Sequence, residues 1–301
     1  MRISRLFITE RLKDRLSEIE SHSITTVIAP MGYGKTTAIK WWSTRRTKSN
    51  EMSLFFRQTI MTDSVADFWA GFCRMFREYP DLYEQLTALN YPSNVQSLSI
   101  CLEILTAAFS GIEKQIYYIL DDFHLIPSKL IKPLILFFAK NLSSNVHFIL
   151  LSRNQIFNEK ERMELGHRLC EISAYALSLN VNELYEYAEQ CKVKASAQEL
   201  DELARSSEGW FSMIYLNFRS YEKTGKWLSG STDIFSLIGE VLLEPLSEEE
   251  REFLFLMGLS DEFTKEQASY LWEGGGLGGS SEKLLNSLSK NNAFIARTDD
   301  T

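Results

Sequence analysis

Residues 28–37 have the sequence IAPMGYGKTT, and this stretch decides the fold class. It follows a β-branched run at 24–29, which predicts a buried strand, and it precedes a segment of helical character. In that setting the pattern G-x-x-x-x-G-K-[ST] is typical of a loop that cradles phosphate. Ala29 occupies the position of the first glycine, and the residues that match the remainder are Gly34, Lys35 and Thr36.

The residue types in this loop suit the binding of a phosphate chain. Glycines allow successive backbone N–H groups to curl around a phosphate, and the N-terminus of the helix adds partial positive charge. In such loops the lysine reaches the β- and γ-phosphates and the hydroxyl is offered to Mg²⁺. The predicted nucleotide-binding residues are Pro30, Met31, Gly32, Tyr33, Gly34, Lys35, Thr36 and Thr37, with Thr36 also a metal ligand. The alternative is a surface turn with an unrelated lysine.

A second motif ends another apolar run. Residues 117–122 read YYILDD, four apolar residues followed by two carboxylates, as in a Walker B strand. Asp121 is predicted to hold Mg²⁺, directly or through water, and Asp122 to orient or deprotonate an attacking water. Without the upstream loop, the same residues also fit a strand followed by an ordinary turn. His124, two residues on, is expected to make a local hydrogen bond in its loop.

A third motif, FILLSR at 148–153, places polar residues after a buried strand. Ligands of open α/β sheets bind at the carboxyl ends of the strands. Arg153 is therefore predicted to contact the γ-phosphate. The alternative is that Ser152 caps a helix and Arg153 is simply solvated.

The segments between these motifs alternate between strand and helix patterns. Strands are predicted at 24–29, 53–58, 116–120 and 147–151. Helices are predicted at 10–20, 35–46, 65–76 (with Pro80 ending this region), 95–109 and 129–141. Alternation of this kind implies crossover connections, and strands that are apolar throughout imply helices on both faces. The sequence thus predicts an α/β domain with a mostly parallel sheet.

The pattern changes after about residue 175. Helices are predicted at 181–191, 196–206, 208–223, 234–243, 247–257 and 264–272, and no strong strand pattern interrupts them. We expect a nucleotide-binding domain at 1–174, an all-α helical domain at 175–232 and a third domain at 233–301. The final residues, NNAFIARTDDT, predict a strand entering a turn, so the chain is expected to be a fragment of a longer protein.

Composition excludes several classes of protein. The 301 residues exceed one typical domain, and 40 acidic against 32 basic residues leave a net charge of −8 without a basic stripe. This balance argues against a nucleic-acid-binding surface in the chain.

Four scattered cysteines without a C-x-x-C pair argue against a disulfide framework or a zinc site and fit a reducing cytosol. No apolar run approaches the roughly 18 residues of a membrane span, so we expect a cytoplasmic protein without membrane contact.

Three stretches in this order resemble a known family: PMGYGKTTAIKWW at 30–42, YYILDDFHLI at 117–126 and FILLSRNQ at 148–155. They are similar to the ATPase module of the large LuxR-type transcription activators, which belong to the STAND class of AAA+-related P-loop NTPases. Ser207-Glu208-Gly209-Trp210 resembles the Glu-Gly-Trp element of that family's helical domain. The residues from Leu246 onward resemble the start of its winged-helix domain, here truncated.

The resemblance implies a switch operated by ATP and ADP with Mg²⁺. ADP would hold the module closed through contacts from the sheet and helical domains, and ATP would permit opening and self-association. Hydrolysis would be slow, because a switch depends on a long-lived ATP-bound state more than on rapid turnover of ATP. The inducer and DNA would bind to regions absent from this chain. Phe211 stands where many relatives carry a proline that helps to shape the adenine pocket.

Two other functions remain open from the residues. A metabolic or remodelling P-loop ATPase would need a substrate site or a basic channel, and the sequence shows neither. A module that binds nucleotide without hydrolysing it is the other alternative, and the paired Asp121 and Asp122 argue against it only mildly.

Overall fold

The computed structural model describes residues 6–48, 53–109, 114–228, 243, 246–258, 263–276 and 278–291. The chain divides into two compact units, residues 2–212 and residues 213–301. The predicted domain boundaries after residues 174 and 232 remain predictions. The helix predicted at 234–243 lies outside the described residues except for residue 243. The terminal strand predicted at 291–301 lies outside them except for Asn291, which is the last residue of a helix.

The first unit contains one parallel sheet. Its strands are Ile24–Ile28 (β1), Ser53–Thr59 (β2), Gln115–Asp121 (β3), Val146–Ser152 (β4) and Leu169–Ser173 (β5). The strand order is β2-β3-β4-β1-β5, and every neighbouring pair is parallel. The predicted parallel sheet is therefore confirmed, and β1 lies inside it rather than at an edge.

The helices of this unit are Glu10–Ser17 (α1), Lys35–Lys48 (α2), Val65–Arg74 (α3), Pro80–Ala88 (α4), Val95–Ala108 (α5), Ser128–Asn141 (α6), Glu159–Leu165 (α7), Ala174–Leu177 (α8), Val181–Gln190 (α9) and Ala197–Ser207 (α10). A further helix, Phe211–Thr224 (α11), begins at the end of the unit. Within the described part of the second unit, three helices run over Glu248–Met257, Lys265–Trp272 and Ser281–Asn291.

Alternate side chains of the strands enter two separate cores. Tyr118 of β3 packs in one core with side chains from α3, α4, α5 and α6. Its neighbour Tyr117 packs in the other core with side chains from α1, α2 and α8. Because successive strand residues point to opposite faces, helices on both sides explain the uninterrupted apolar runs.

Two local features differ from the sequence prediction. β5 was not predicted, because its sequence LCEIS interrupts the apolar residues with Glu171 and Ser173. Pro80 does not terminate the preceding helix, which ends at Arg74; it occupies the first turn of α4. Proline suits that position because its missing N–H has no partner to lose there.

None of the helices in the described ranges combines the length and apolar character that a bilayer span requires. The topology places the carboxyl ends of β1, β3 and β4 side by side, with Ile28 paired to Ser152 across β1 and β4. The phosphate loop follows β1, and the polar residues of the other two motifs lie at the carboxyl ends of β3 and β4. The fold therefore brings all three motifs to one edge of the sheet.

Candidate functional site

The loop between β1 and α2 is anchored to the sheet at its start and turns at two glycines. Ala29 N donates to Ser152 O at 3.2 Å, which fixes the start of the loop to the end of β4. Gly32 and Gly34 adopt φ values of 83° and 81°, which other residues rarely adopt. A Cβ atom on Gly34 would meet nothing within 4 Å, so that side of the loop faces open space.

Lys35 is 8% exposed and points back over the loop. Its Nζ donates to Ala29 O at 2.8 Å and to Pro30 O at 3.2 Å. An ammonium has three N–H donors, so one remains for a phosphate oxygen. Burial lowers the pKa of Lys35, and Arg153 acts in the same direction while Asp122 and Asp121 oppose it. The lysine therefore lies over the loop, and its contact with a phosphate stays a prediction.

Thr36 and Asp121, the two predicted metal ligands, lie in contact. Thr36 Oγ1 lies 3.2 Å from Asp121 Oδ1 and 3.0 Å from Oδ2. Asp121 is 3% exposed, and its Oδ1 also accepts a hydrogen bond from Asp122 N at 3.0 Å. A hydroxyl and a carboxylate fit Mg²⁺, which commonly takes its other ligands from water and substrate phosphates.

Asp122 and His124 lie just beyond the end of β3. Asp122 has a left-handed backbone (φ 53°) and a side chain that is 37% exposed. His124 Nδ1 is 3.9 Å from Asp122 Oδ1, and neither ring nitrogen has a hydrogen-bond partner among the described residues. The local hydrogen bond expected for His124 is therefore absent there. Burial lowers the pKa of His124, with Arg153 adding to the effect, and two unpartnered buried nitrogens beside Asp122 suit a bound polar ligand.

Arg153 is exposed and follows the end of β4. The Ser152 hydroxyl donates to Asn154 O at 2.7 Å and accepts from Asn154 N at 3.1 Å, so it closes a turn. The next helix, α7, is capped by Asn158 instead. Ser152 as a helix cap is thus wrong, and the charge of Arg153 acts on both Lys35 and His124.

Sequence reasoning missed Arg57, which approaches the same site from β2. Its Nη2 lies 2.8 Å from Asp121 Oδ2. The available signal was a single charged residue inside the otherwise uncharged strand sequence SLFFRQT at 53–59. That signal does not reveal the partner, because Arg57 and Asp121 are 64 positions apart.

Residues after α10 contact the phosphate loop directly. Trp210 Nε1 donates to Met31 O at 3.1 Å, and its ring stacks near Tyr33 with centroids 6.5 Å apart. Ser212 donates to Gly32 O through Oγ at 2.8 Å and through its backbone N at 3.2 Å. A Cβ on Gly32 would lie 2.5 Å from Trp210 Nε1, so only glycine permits this approach. The predicted loop residues Met31, Gly32 and Tyr33 therefore face this segment.

A small, mainly apolar cleft with a volume of about 40 Å³ lies beside the loop. It is lined by Phe7, Ile8, Thr9, Leu12, Tyr33, Gly34, Thr37, Ala38, Leu177, Leu179 and Phe211. Apolar walls next to a phosphate loop suit the base of a nucleotide. The sequence prediction had included Tyr33, Gly34 and Thr37 but had missed the walls from the N-terminal segment and from 177–179.

The contact between Trp210 and the loop can be tested by Trp210→Phe. This change keeps an aromatic ring beside Tyr33 and removes the Nε1 donor to Met31 O. We expect the free energy of unfolding to fall by about 1 kcal/mol, the net value of a typical hydrogen bond. Urea unfolding would measure it, with Trp41→Phe on α2 as the matched control. A loss no larger than that of the control would show that the hydrogen bond contributes nothing.

No protein-family model matches the chain. The HTH-type transcriptional regulator MalT of Yersinia pestis (strain Pestoides F) is 24% identical over 325 aligned positions, which cover all of this chain and 34% of the regulator. MalT of Yersinia enterocolitica (serotype O:8 / biotype 1B) is 23% identical with the same coverage. The chain thus spans about a third of the length of the curated relatives it matches.

Among solved structures, a STAND protein with a tetratricopeptide repeat sensor from Pyrococcus horikoshii superposes with a TM-score of 0.65 at 18% identity. The match covers 96% of this chain and 40% of that protein. MalT typifies the large LuxR-type activators, so the sequence comparison confirms the predicted resemblance to that family. The structural comparison shows that this chain shares its fold with the STAND protein.

Proposed function

We propose that the chain is the nucleotide-operated switch module of a transcription regulator, binding ATP or ADP with Mg²⁺. The observation that carries this proposal is the contact of Trp210 and Ser212 with the carbonyls of the phosphate loop. A ligand that binds in the loop therefore acts, through these hydrogen bonds, on residues that follow the sheet in the sequence. The similarity to MalT regulators supports transcription as the process that the switch controls.

Different residues bind different parts of the nucleotide. The loop from Pro30 to Thr37 holds the phosphates, with Lys35 donating its remaining N–H to a phosphate oxygen. Mg²⁺, when bound, neutralises phosphate charge. Thr36 and Asp121 hold that ion. The base lies in the apolar cleft, where Phe211 supplies an aromatic wall.

Hydrolysis, in this proposal, is slow and serves to reset the switch. Asp122 orients or deprotonates the attacking water, and Arg153 contacts the γ-phosphate.

We expect Asp122→Asn to retain ATP binding and to slow hydrolysis at least about tenfold, the lower range of general acid–base effects. Single-turnover phosphate release would measure this, with Asp63→Asn at an exposed loop position as control. Unchanged hydrolysis would remove Asp122 from the mechanism, and undetectable turnover of the unsubstituted chain would favour a module that only binds nucleotide.

The wider assembly is also part of the proposal. A helical domain at 175–232 and a truncated winged-helix domain at 233–301 would follow the nucleotide-binding domain at 1–174. The ATP state would self-associate, and the inducer and DNA would bind to other regions of a longer protein. We place this protein in the cytoplasm, in keeping with four buried free cysteines.

Hydrogen–deuterium exchange of the full chain with and without ADP tests the coupling. We expect ADP to slow exchange both at 28–37 and at 207–212, because hydrogen bonds join these segments. Lys35→Ala is the control, and the same ADP concentration should slow its exchange far less, because the substitution weakens ADP binding. Protection confined to 28–37 would contradict the switch and leave a nucleotide-binding domain with unrelated neighbours.

A further inference from the structure

Arg57 is the one charged side chain of β2, and it contacts the carboxylate that the proposed function assigns to Mg²⁺. Its Nη2 lies 2.8 Å from Asp121 Oδ2, and the two side chains are 34% and 4% exposed. A buried carboxylate is costly unless it is paired and hydrogen-bonded. The partly exposed guanidinium of Arg57 supplies the positive charge that pairs with the buried carboxylate of Asp121.

Both carboxylate oxygens of Asp121 already accept hydrogen bonds. Oδ1 accepts from Asp122 N at 3.0 Å and from Thr36 Oγ1 at 3.2 Å. Oδ2 accepts from Thr36 Oγ1 at 3.0 Å and from Arg57 Nη2 at 2.8 Å. Of these three donors only Arg57 is a cation, so a metal ion that approaches Asp121 meets the positive charge of the guanidinium.

We propose that Arg57 is a positioning residue that competes with Mg²⁺ for Asp121, an inference that rests on the proposed nucleotide function. Without metal, Arg57 neutralises the carboxylate and the loop binds nucleotide with little need for Mg²⁺. With metal, the guanidinium and the ion are adjacent to one carboxylate and repel each other. Arg57 therefore limits how much Mg²⁺ tightens nucleotide binding, and it favours a state that holds nucleotide without metal.

The geometry also distinguishes this role from a purely structural one. The contact joins a single nitrogen to a single oxygen, and the Arg57 side chain is 34% exposed, so it is not packed in a core. A structural contact would raise nucleotide affinity equally with and without metal. Competition instead changes the ratio of the two affinities, because the repulsion between the guanidinium and the metal ion exists only in the metal-bound state.

Calorimetry with ADP on the full chain measures this ratio directly. The dissociation constant is determined once with EDTA and once with saturating Mg²⁺. We expect Arg57→Gln to increase the tightening by Mg²⁺ about tenfold, within the usual range of coupling between two ligands. Arg57→Met, which keeps the aliphatic stem, should give the same increase. Arg57→Lys should remain near the unsubstituted ratio, because one point contact needs only the charge.

Arg45→Gln is the matched control, since Arg45 lies ten residues, or roughly 15 Å, along α2 from Lys35. It should leave the ratio unchanged. An unchanged ratio in Arg57→Gln with ADP still bound would overturn the competition, and so would equal losses of affinity in both conditions. Absence of ADP binding by the unsubstituted chain in both conditions would refute the proposed function itself, and the inference with it.

Discussion

Lys35→Ala is expected to weaken ADP binding by about a hundredfold or more, the effect of removing one partner from a buried charge-assisted contact. The substitution removes the ammonium that is held over the loop by Ala29 O and Pro30 O. No other side chain of the sequence from 28 to 37 carries a charge that could replace it. The loop backbone would remain, but it would lack the cation that neutralises the phosphates.

Thermal unfolding with and without ADP provides the measurement. Ligand at about a hundredfold over its Kd adds roughly 2.7 kcal/mol to the state that binds it. For a chain of this size, each kcal/mol raises Tm by roughly 2–4 °C, so the unsubstituted chain should gain several degrees. Lys35→Ala should lose most of that gain, whereas Lys40→Ala, at an exposed position of α2, should keep it. A full gain in Lys35→Ala would contradict the proposed site.

Gly209→Ala is expected to lower the free energy of unfolding by about 2–5 kcal/mol. Gly209 has a φ of 77°, and a Cβ there would lie 2.3 Å from the backbone oxygen of Leu179. The left-handed conformation costs a non-glycine residue about 1–2 kcal/mol, and overpacking against backbone adds about 1–3 kcal/mol. The turn also carries the hydrogen bond from Leu179 N to Gly209 O at 2.9 Å.

Gly225→Ala separates these two contributions. Gly225 has a φ of 69°, and its Cβ would meet nothing within 4 Å, so only the backbone cost of about 1–2 kcal/mol applies. Urea unfolding of both variants gives the comparison. Gly209→Ala should also gain less from ADP, because Trp210 and Ser212 would be displaced from the phosphate loop. Equal losses of stability in the two variants would show that the 178–179 segment moves to accommodate the added methyl group, so that overpacking adds no cost.

The sequence by itself determined which polar residues lie at the strand ends. A phosphate loop needs successive backbone N–H groups followed at once by a lysine and a hydroxyl, so the whole signal lies within residues 29–37. The paired carboxylates at the carboxyl end of β3 and the arginine after β4 are likewise contiguous with apolar strands. Their convergence could be predicted because parallel strands bring their carboxyl ends to one edge of the sheet.

Some fold features were ambiguous in the sequence because their local signals are weak. β5 lies at a sheet edge and includes Glu171, so its apolar pattern is too short to predict a strand. Pro80 is compatible with either the end or the first turn of a helix. In both cases the packing of neighbouring elements decided the outcome.

The tertiary structure alone decided which distant residues complete the site. Arg57 contacts Asp121 across 64 positions, and Trp210 contacts Met31 across 179. The unpartnered nitrogens of His124 are likewise a property of the folded surroundings. No periodicity or motif encodes such pairs, because each depends on strand order and on where α10 ends. The polar residues at the strand ends could therefore be identified from the sequence. The long-range contacts on which the proposed switch depends could be identified only in the folded chain.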